Sequence, residues 1–403
     1  MRSIVSKYIA LVTLVVIGTG RAQVPVDTPV GTPQQKVDTA VSRHSSDQSL
    51  SARADAYMQT VRQERDFSGV VLIARDGKIL FTRAYGMANL EHDVPNSIDT
   101  KFRLASITKQ FTAAAILILQ ERGKLSVNDS ICKYLRDCPG PWSPVTLHQL
   151  LSHSSGIYSF TESSDNDRYE LLPMPVLDTV ARFKDKPLDF LPGQGFHYSD
   201  SGYLLLGYVV EQASGEKYET FLEENIYKPL HMQDSGYDHP QPILKHRAQG
   251  YALKNGSIVN SAFMAMDTPF GGGSQYSTVK DLLLWDQALY GERLLSAKSR
   301  QAMFTPNPQQ VPPEWLLGKK GGYGYGWMIE ELFGRKLFVH GGLINGFSSI
   351  IMRYPEDKTL VVVLCNREED FTGDLKNLKI VGVGEGLSAV AFGLNPSSDV
   401  TPR

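Results

Sequence analysis

The sequence predicts an α/β (α+β) protein: an antiparallel sheet flanked by helices, with a mainly helical lobe between the first strands and the last. β-Branched runs at 69–74 and 78–82 flank an Asp76-Gly77 dipeptide, the signature of a two-residue hairpin. Strand patterns return only at 336–339, 348–354 and 359–365, so the sheet is completed by the C-terminal third. Between them, from about 129 to 290, apolar helical stretches alternate with loops rich in Ser, Gly and Pro.

Taken in order, residues 1–22 have the layout of an export signal: Arg2 and Lys7, an apolar run over 8–18, then Gly20-Arg21-Ala22 at the cleavage position. The run is shorter than the roughly 20 residues that span a bilayer, so cleavage after Ala22 would leave a secreted or periplasmic chain without a stable membrane span. Residues 23–51, rich in Pro, Thr, Ser, Gln and Val, read as a flexible tether. One large domain is expected over 52–394, its α/β lobe from 52–105 and 291–394 and its helical lobe from 106–290, with a tail at 395–403. Ile107, Phe111, Ala114, Ala115, Ile118 and Leu119 mark a helix over 106–122 that is apolar around most of its circumference and stops at Gly123. Further helices are expected over 203–212, 218–226 and 279–289, and a terminal one from about Gly373.

Forty-one Lys and Arg against 43 Asp and Glu give a formal net charge of -2, which offers no broad basic surface for nucleic acid. The expected partner is a small molecule or peptide. Cys132 and Cys138 are close enough in sequence to pair across a turn in an exported chain, whereas Cys365 falls in a buried-strand pattern as an inert core thiol. The nine histidines lack metal-ligand spacing, and neither a metal nor an organic cofactor is implied.

Ser-x-x-Lys occurs four times, at Ser106/Lys109, Ser130/Lys133, Ser214/Lys217 and Ser277/Lys280. Only Ser106 opens a long buried helix, where residues three apart share a face and the lysine amine stands over the serine hydroxyl. Desolvation there is expected to lower the lysine pKa, and the helix N-terminus to favour charge on the serine oxygen. Tyr198-Ser199-Asp200 lies at a loop-to-helix junction, where Lys109 would help Tyr198 act as a base. His340-Gly341-Gly342 ends a strand, and its paired glycines would let a substrate lie along the backbone.

These three motifs in this order resemble the serine β-lactamase-related family, which contains class C β-lactamases, DD-peptidases, D-aminopeptidases and related esterases. The resemblance covers about 52 to 394. It extends to Leu150-Leu151-Ser152-His153-Ser154-Ser155-Gly156-Ile157, Pro229-Leu230-His231-Met232, Gly272-Gly273, Tyr276-Ser277-Thr278 and Gly324-Tyr325-Gly326-Trp327. It implies a β-lactamase/penicillin-binding-protein-like fold and hydrolysis of an ester, peptide or β-lactam substrate through an acyl-enzyme. Ser106 would be the nucleophile, Lys109 and Tyr198 would share proton transfer, and Asp200, His340, Gly341, Gly342 and Leu343 would line the substrate site. The backbone N–H groups of Ser106 and Leu343 would form the oxyanion hole. The family's usual asparagine is replaced by Asp200, able to bind a cationic substrate group or Lys109. His340 stands where class C β-lactamases have a lysine for the drug's carboxylate, which argues against efficient β-lactam hydrolysis and points to partial charging near pH 6.5. A non-catalytic homologue that captures peptidoglycan fragments is the alternative from another class. An α/β-hydrolase with a Ser-His-Asp triad would need Gly-x-Ser-x-Gly on a strand-to-helix turn, and no such pentapeptide occurs.

Overall fold

The computed structural model describes residues 39–307, 321–369 and 379–396. The export-signal segment, the first part of the tether, the expected start of the terminal helix near Gly373 and most of the tail lie outside the described residues. Among those described, no helix is long and apolar enough to cross a membrane.

A seven-stranded antiparallel sheet is built from β1 (Gly69–Arg75), β2 (Lys78–Tyr85), β3 (Gly322–Tyr323), β4 (Met328–Leu332), β5 (Arg335–Ile344), β6 (Phe347–Tyr354) and β7 (Thr359–Cys365). Its spatial order is β3-β4-β5-β6-β7-β1-β2, so the first hairpin and the last three long strands join through the β1–β7 pair. Alternation places Val71, Ile73, Val361, Val363 and Cys365 on one face and Val70, Leu72, Leu360, Val362 and Leu364 on the other. Both faces are buried, which is why these strands read as continuous apolar runs.

The first face is covered by α1 (Thr39–Arg65) from Leu50 onward and by the C-terminal helix Lys379–Ala391. Leu50, Ala54, Tyr57, Met58 and Val61 recur at helical spacing and point into this layer. The tether therefore gives way to helix at Thr39, earlier than the expected start near Ala52.

The other face receives α2 (Thr108–Glu121), buried on nearly every side, and α3 (Asp200–Ser214) packs against α2 from the helical lobe. The helix α4 (Val279–Ala288) packs on β7 and β1, so its assignment to the helical lobe is corrected: it belongs to the sheet layer. Two short strands also lie within the region expected to be helical, paired to a third just before it. Phe102–Arg103, Gln275–Ser277 and Gly236–Tyr237 make a three-stranded sheet beside the start of α2. The C-terminal helix is α5 (Lys379–Ala391). Cys132 and Cys138 form a disulfide, and Cys365 is a free buried thiol.

Candidate active site

Ser106 sits in a single 3₁₀ turn, Ala105–Ile107, that runs directly into α2. Ala105 has a φ of 50°, a left-handed conformation that costs a non-glycine residue on the order of 1 kcal/mol. Neighbours on both sides hold it there. The Leu104 N–H donates to the Gln275 carbonyl at 2.8 Å, and the Ser349 hydroxyl donates to the Leu104 carbonyl at 2.9 Å. Gly342 on β5 lies so close that a Cβ would stand 2.2 Å from the Leu104 oxygen and 3.1 Å from the Ala105 Cβ. Gly342 is thus required by the approach of the serine turn to the sheet, whereas Gly341 has room for a side chain.

Lys109, one turn along α2, is fully buried. Its ammonium donates to the Ser106 hydroxyl at 3.1 Å, to Asp200 Oδ1 at 2.6 Å and to the Gly272 carbonyl at 3.0 Å, which uses all three of its N–H groups. It also lies 4.9 Å from the ring centre of Tyr198 and 5.6 Å from that of Tyr203. Threonines on the same helix hold the chain on either side of Gly272: Thr108 Oγ1 accepts from the Gln275 N–H, and Thr112 Oγ1 donates to the Gly271 carbonyl. None of the other three Ser-x-x-Lys pairs is so arranged; Lys133 and Lys280 turn instead to Asp129 and Asp99.

Burial alone would push Lys109 toward neutrality, but Asp200 and Tyr198 outweigh it and hold the amine above its usual value. This corrects the expectation of a lowered lysine pKa. Burial likewise raises the Tyr198 phenol, only partly offset by Lys109, and its hydroxyl interacts with both Lys109 and Ser106. The resting site holds a charged lysine and a neutral tyrosine. Asp200 begins α3, where the helix dipole favours a carboxylate. Its N–H donates to Ser159 Oγ at 3.1 Å and its Oδ2 accepts from Thr161 at 3.3 Å, with the side chain a quarter exposed.

His340 is brought to the same wall, its ring centre 6.2 Å from that of Tyr198, but it is buried. Its Nδ1–H donates to the Gly341 carbonyl at 2.6 Å, which leaves Nε2 to accept from the Tyr323 hydroxyl at 3.0 Å. Burial, with help from the Lys109 charge, lowers its pKa to about 3. The expectation that His340 charges near pH 6.5 and recognises a carboxylate is therefore overturned. Leu343 pairs opposite Ser348, and β4 accompanies β5 only as far as Val339, so the Gly341–Leu343 backbone has no β4 pairing beside it.

Sequence reasoning assigned no role to Tyr323 or His153, both buried beside Tyr198. His153 lies in the 150–157 stretch and Tyr323 just before Gly324, but the contacts join segments far apart in the chain. His197, next to Tyr198 in the chain, bridges Glu162 and Asp189 at 2.6 Å each, and Glu162 foremost raises it to about 9.

A serine held against a buried lysine at the head of a core helix, laid on an antiparallel sheet, is the architecture of a class of serine hydrolases. The Beta-lactamase family model matches residues 54–383, and the chain belongs to that family. It is 30% identical over 331 residues to a penicillin-binding protein of Bacillus subtilis (strain 168), covering 77% of this chain and 71% of the relative. A penicillin binding protein from Bacillus halodurans is similar in structure, with a TM-score of 0.68 and 31% identity over 77% of this chain and 95% of the other. A D-stereospecific amidohydrolase from Streptomyces sp. aligns with a TM-score of 0.64 and 26% identity over 81% and 94%. The protein is a serine hydrolase of β-lactamase-related fold.

Proposed function

We propose that this serine hydrolase cleaves esters or amides of small molecules or short D-amino-acid peptides through an acyl-enzyme on Ser106. The observation that carries the reading is the Lys109 ammonium, held against the Ser106 hydroxyl in a fully buried setting with Asp200 and Tyr198 around it. Ser106 Oγ bonds to the substrate carbonyl carbon while its proton passes to the Lys109–Tyr198 pair. The pair returns that proton to the leaving oxygen or nitrogen as the scissile bond breaks. Water then attacks the acyl-enzyme by the same route in reverse. The backbone N–H groups of Ser106 and Leu343 are the proposed donors to the developing oxyanion.

Because both members of the pair start protonated, the base role requires the loss of one proton, and turnover rises with pH on the alkaline side. Neutral, buried His340 supplies no fixed charge for a substrate carboxylate, which supports neutral esters and amides over cephalosporins. The amidohydrolase likeness supports amides of D-configured residues. The penicillin-binding relatives favour a second reading, a weak β-lactamase or DD-carboxypeptidase. Action outside the cytoplasm rests on the signal-like residues 1–22.

The test is active-site labelling. A fluorophosphonate or fluorescent penicillin should attach to Ser106, and Ser106→Ala should abolish both labelling and turnover of a chromogenic ester. Labelling that persists in Ser106→Ala overturns the assignment. Short esters, D-alanyl peptides and a cephalosporin run side by side then separate the two substrate readings.

A further inference from the structure

We propose that His153 is a positioning residue that fixes Tyr198, an inference that rests on the reading of Tyr198 as part of the proton-transfer pair. His153 follows the short helix Leu147–Leu151 and is buried, with a φ of 57° that places it in the left-handed region. Histidine and asparagine enter that region more readily than most residues, and a strained backbone beside a reactive group persists only where its surroundings hold it.

That conformation lets one residue grip the chain on both sides of Tyr198. The His153 carbonyl accepts from the His197 N–H at 2.9 Å, and the His153 Nδ1 accepts from the Ser199 N–H at 3.0 Å. Between these two anchors the imidazole lies over the Tyr198 ring, centres 4.2 Å apart and planes 32° from parallel. The same phenol ring also lies 4.9 Å from the Lys109 ammonium, so it touches both the His153 ring and the lysine. Acceptance at Nδ1 places the proton of the neutral ring on Nε2, which has no hydrogen-bond partner among the described residues. Burial, with Lys109, His340 and His197 adding to it, keeps the ring uncharged. A protonated His153 would lose the Ser199 anchor, so the same burial that leaves Nε2 unsatisfied preserves the grip. The next residues tie this clamp to the rest of the site: Ser199 Oγ donates to the Ile157 carbonyl, and Asp200 carries the carboxylate on Lys109.

The experiment is a double-mutant cycle in the full chain, measured as kcat and KM on a neutral chromogenic ester. His153→Phe keeps an aromatic ring but removes the Nδ1 acceptor, and His153→Asn keeps an acceptor and tolerates the backbone. His153→Phe should lower kcat about tenfold to a hundredfold with KM changed less than about threefold, and His153→Asn should recover part of that loss. In a Tyr198→Phe background the same change should have little further effect, because the hydroxyl it positions is gone. Equal losses in both backgrounds, or no loss in His153→Phe, overturn the proposal. A Tyr198→Phe enzyme with unchanged kcat instead sinks the reading of Tyr198, and the His153 proposal falls with it. Melting curves accompany each variant; where His153→Phe does not fold, the cycle is run with His153→Asn, whose loss must likewise vanish in the Tyr198→Phe background.

Discussion

Two buried cation–carboxylate pairs lie on the same side of the sheet and differ in solvent access and in hydrogen bonding. Arg353 on β6 meets Asp286 on α4 at 2.9 Å, with both side chains sealed from solvent and the guanidinium stacked 4.0 Å over the Tyr290 ring. The charges meet without a well-aligned hydrogen bond between them, and Asp286 Oδ2 takes its own from Gln287. Burial raises Asp286, with Arg353 opposing it. Lys109 is just as deeply buried, but its partner Asp200 opens toward the cleft and its ammonium is fully hydrogen-bonded. The closed pair fastens a helix to the sheet. The half-open pair sets the protonation of a group that touches a serine hydroxyl. Similar chemistry does structural work where both partners are enclosed and reactive work where one is reachable.

The comparison is broken most directly by exchanging the consequences. Lys109→Met should reduce ester turnover by about 10³-fold or more, with a smaller loss of stability than its burial suggests, because the Asp200 carboxylate retains solvent and the Thr161 hydroxyl. Arg353→Met should do the reverse, costing about 3–5 kcal/mol by leaving Asp286 buried and uncompensated, while activity per folded molecule holds. Urea unfolding beside steady-state kinetics checks both, and a reversed pattern would refute the division of labour.

A gentler change sharpens it. Asp200→Asn removes the main group that raises Lys109, so burial is left to lower it and the rising limb of kcat/KM against pH should move to lower pH. A limb that stays in place would mean that Asp200 does not govern the titrating pair. The smallest expected effect concerns His340. With a pKa of about 3 it stays neutral from pH 5 to 8, so the ratio of rates on a neutral ester and a cephalosporin should be flat across that window. A ratio that turns near pH 6.5 would show the imidazole exposed to solvent in the working enzyme.

Much of this was legible in the sequence, and the parts that were not share a physical cause. The strand at 359–365 matches β7 residue for residue, and Ser106 was separated from three other Ser-x-x-Lys pairs by the helix it opens. Local pattern suffices for such features. The charge on Lys109 was misread because it depends on Asp200, which reaches it only through the packing of α3 on α2. His340 was misread because burial beneath Tyr323 is a tertiary fact. The lobe assignment of α4 failed for the same reason, since an apolar helix face does not say which layer it meets. The start of α1 is different: Leu50, Ala54, Tyr57, Met58 and Val61 carry the helical period openly, but the polar composition before them masked it.

The β1–β7 pair has a consequence for how the chain comes to exist. Its seven registered pairs, Gly69 with Cys365 through Arg75 with Thr359, join segments almost three hundred residues apart. Such pairing requires a long loop to close before any contact rewards it, which makes sheet completion slow and late. A ribosome must release the residues after β7 before the central strand has both its neighbours. Until then the turn holding Ala105 in its left-handed conformation has no completed sheet to lie on, since the Gly342 and Ser349 that keep it there belong to β5 and β6, beside β7 in that sheet. The nascent chain is accordingly expected to remain open and without hydrolytic competence through most of its synthesis, acquiring both in a single closing step.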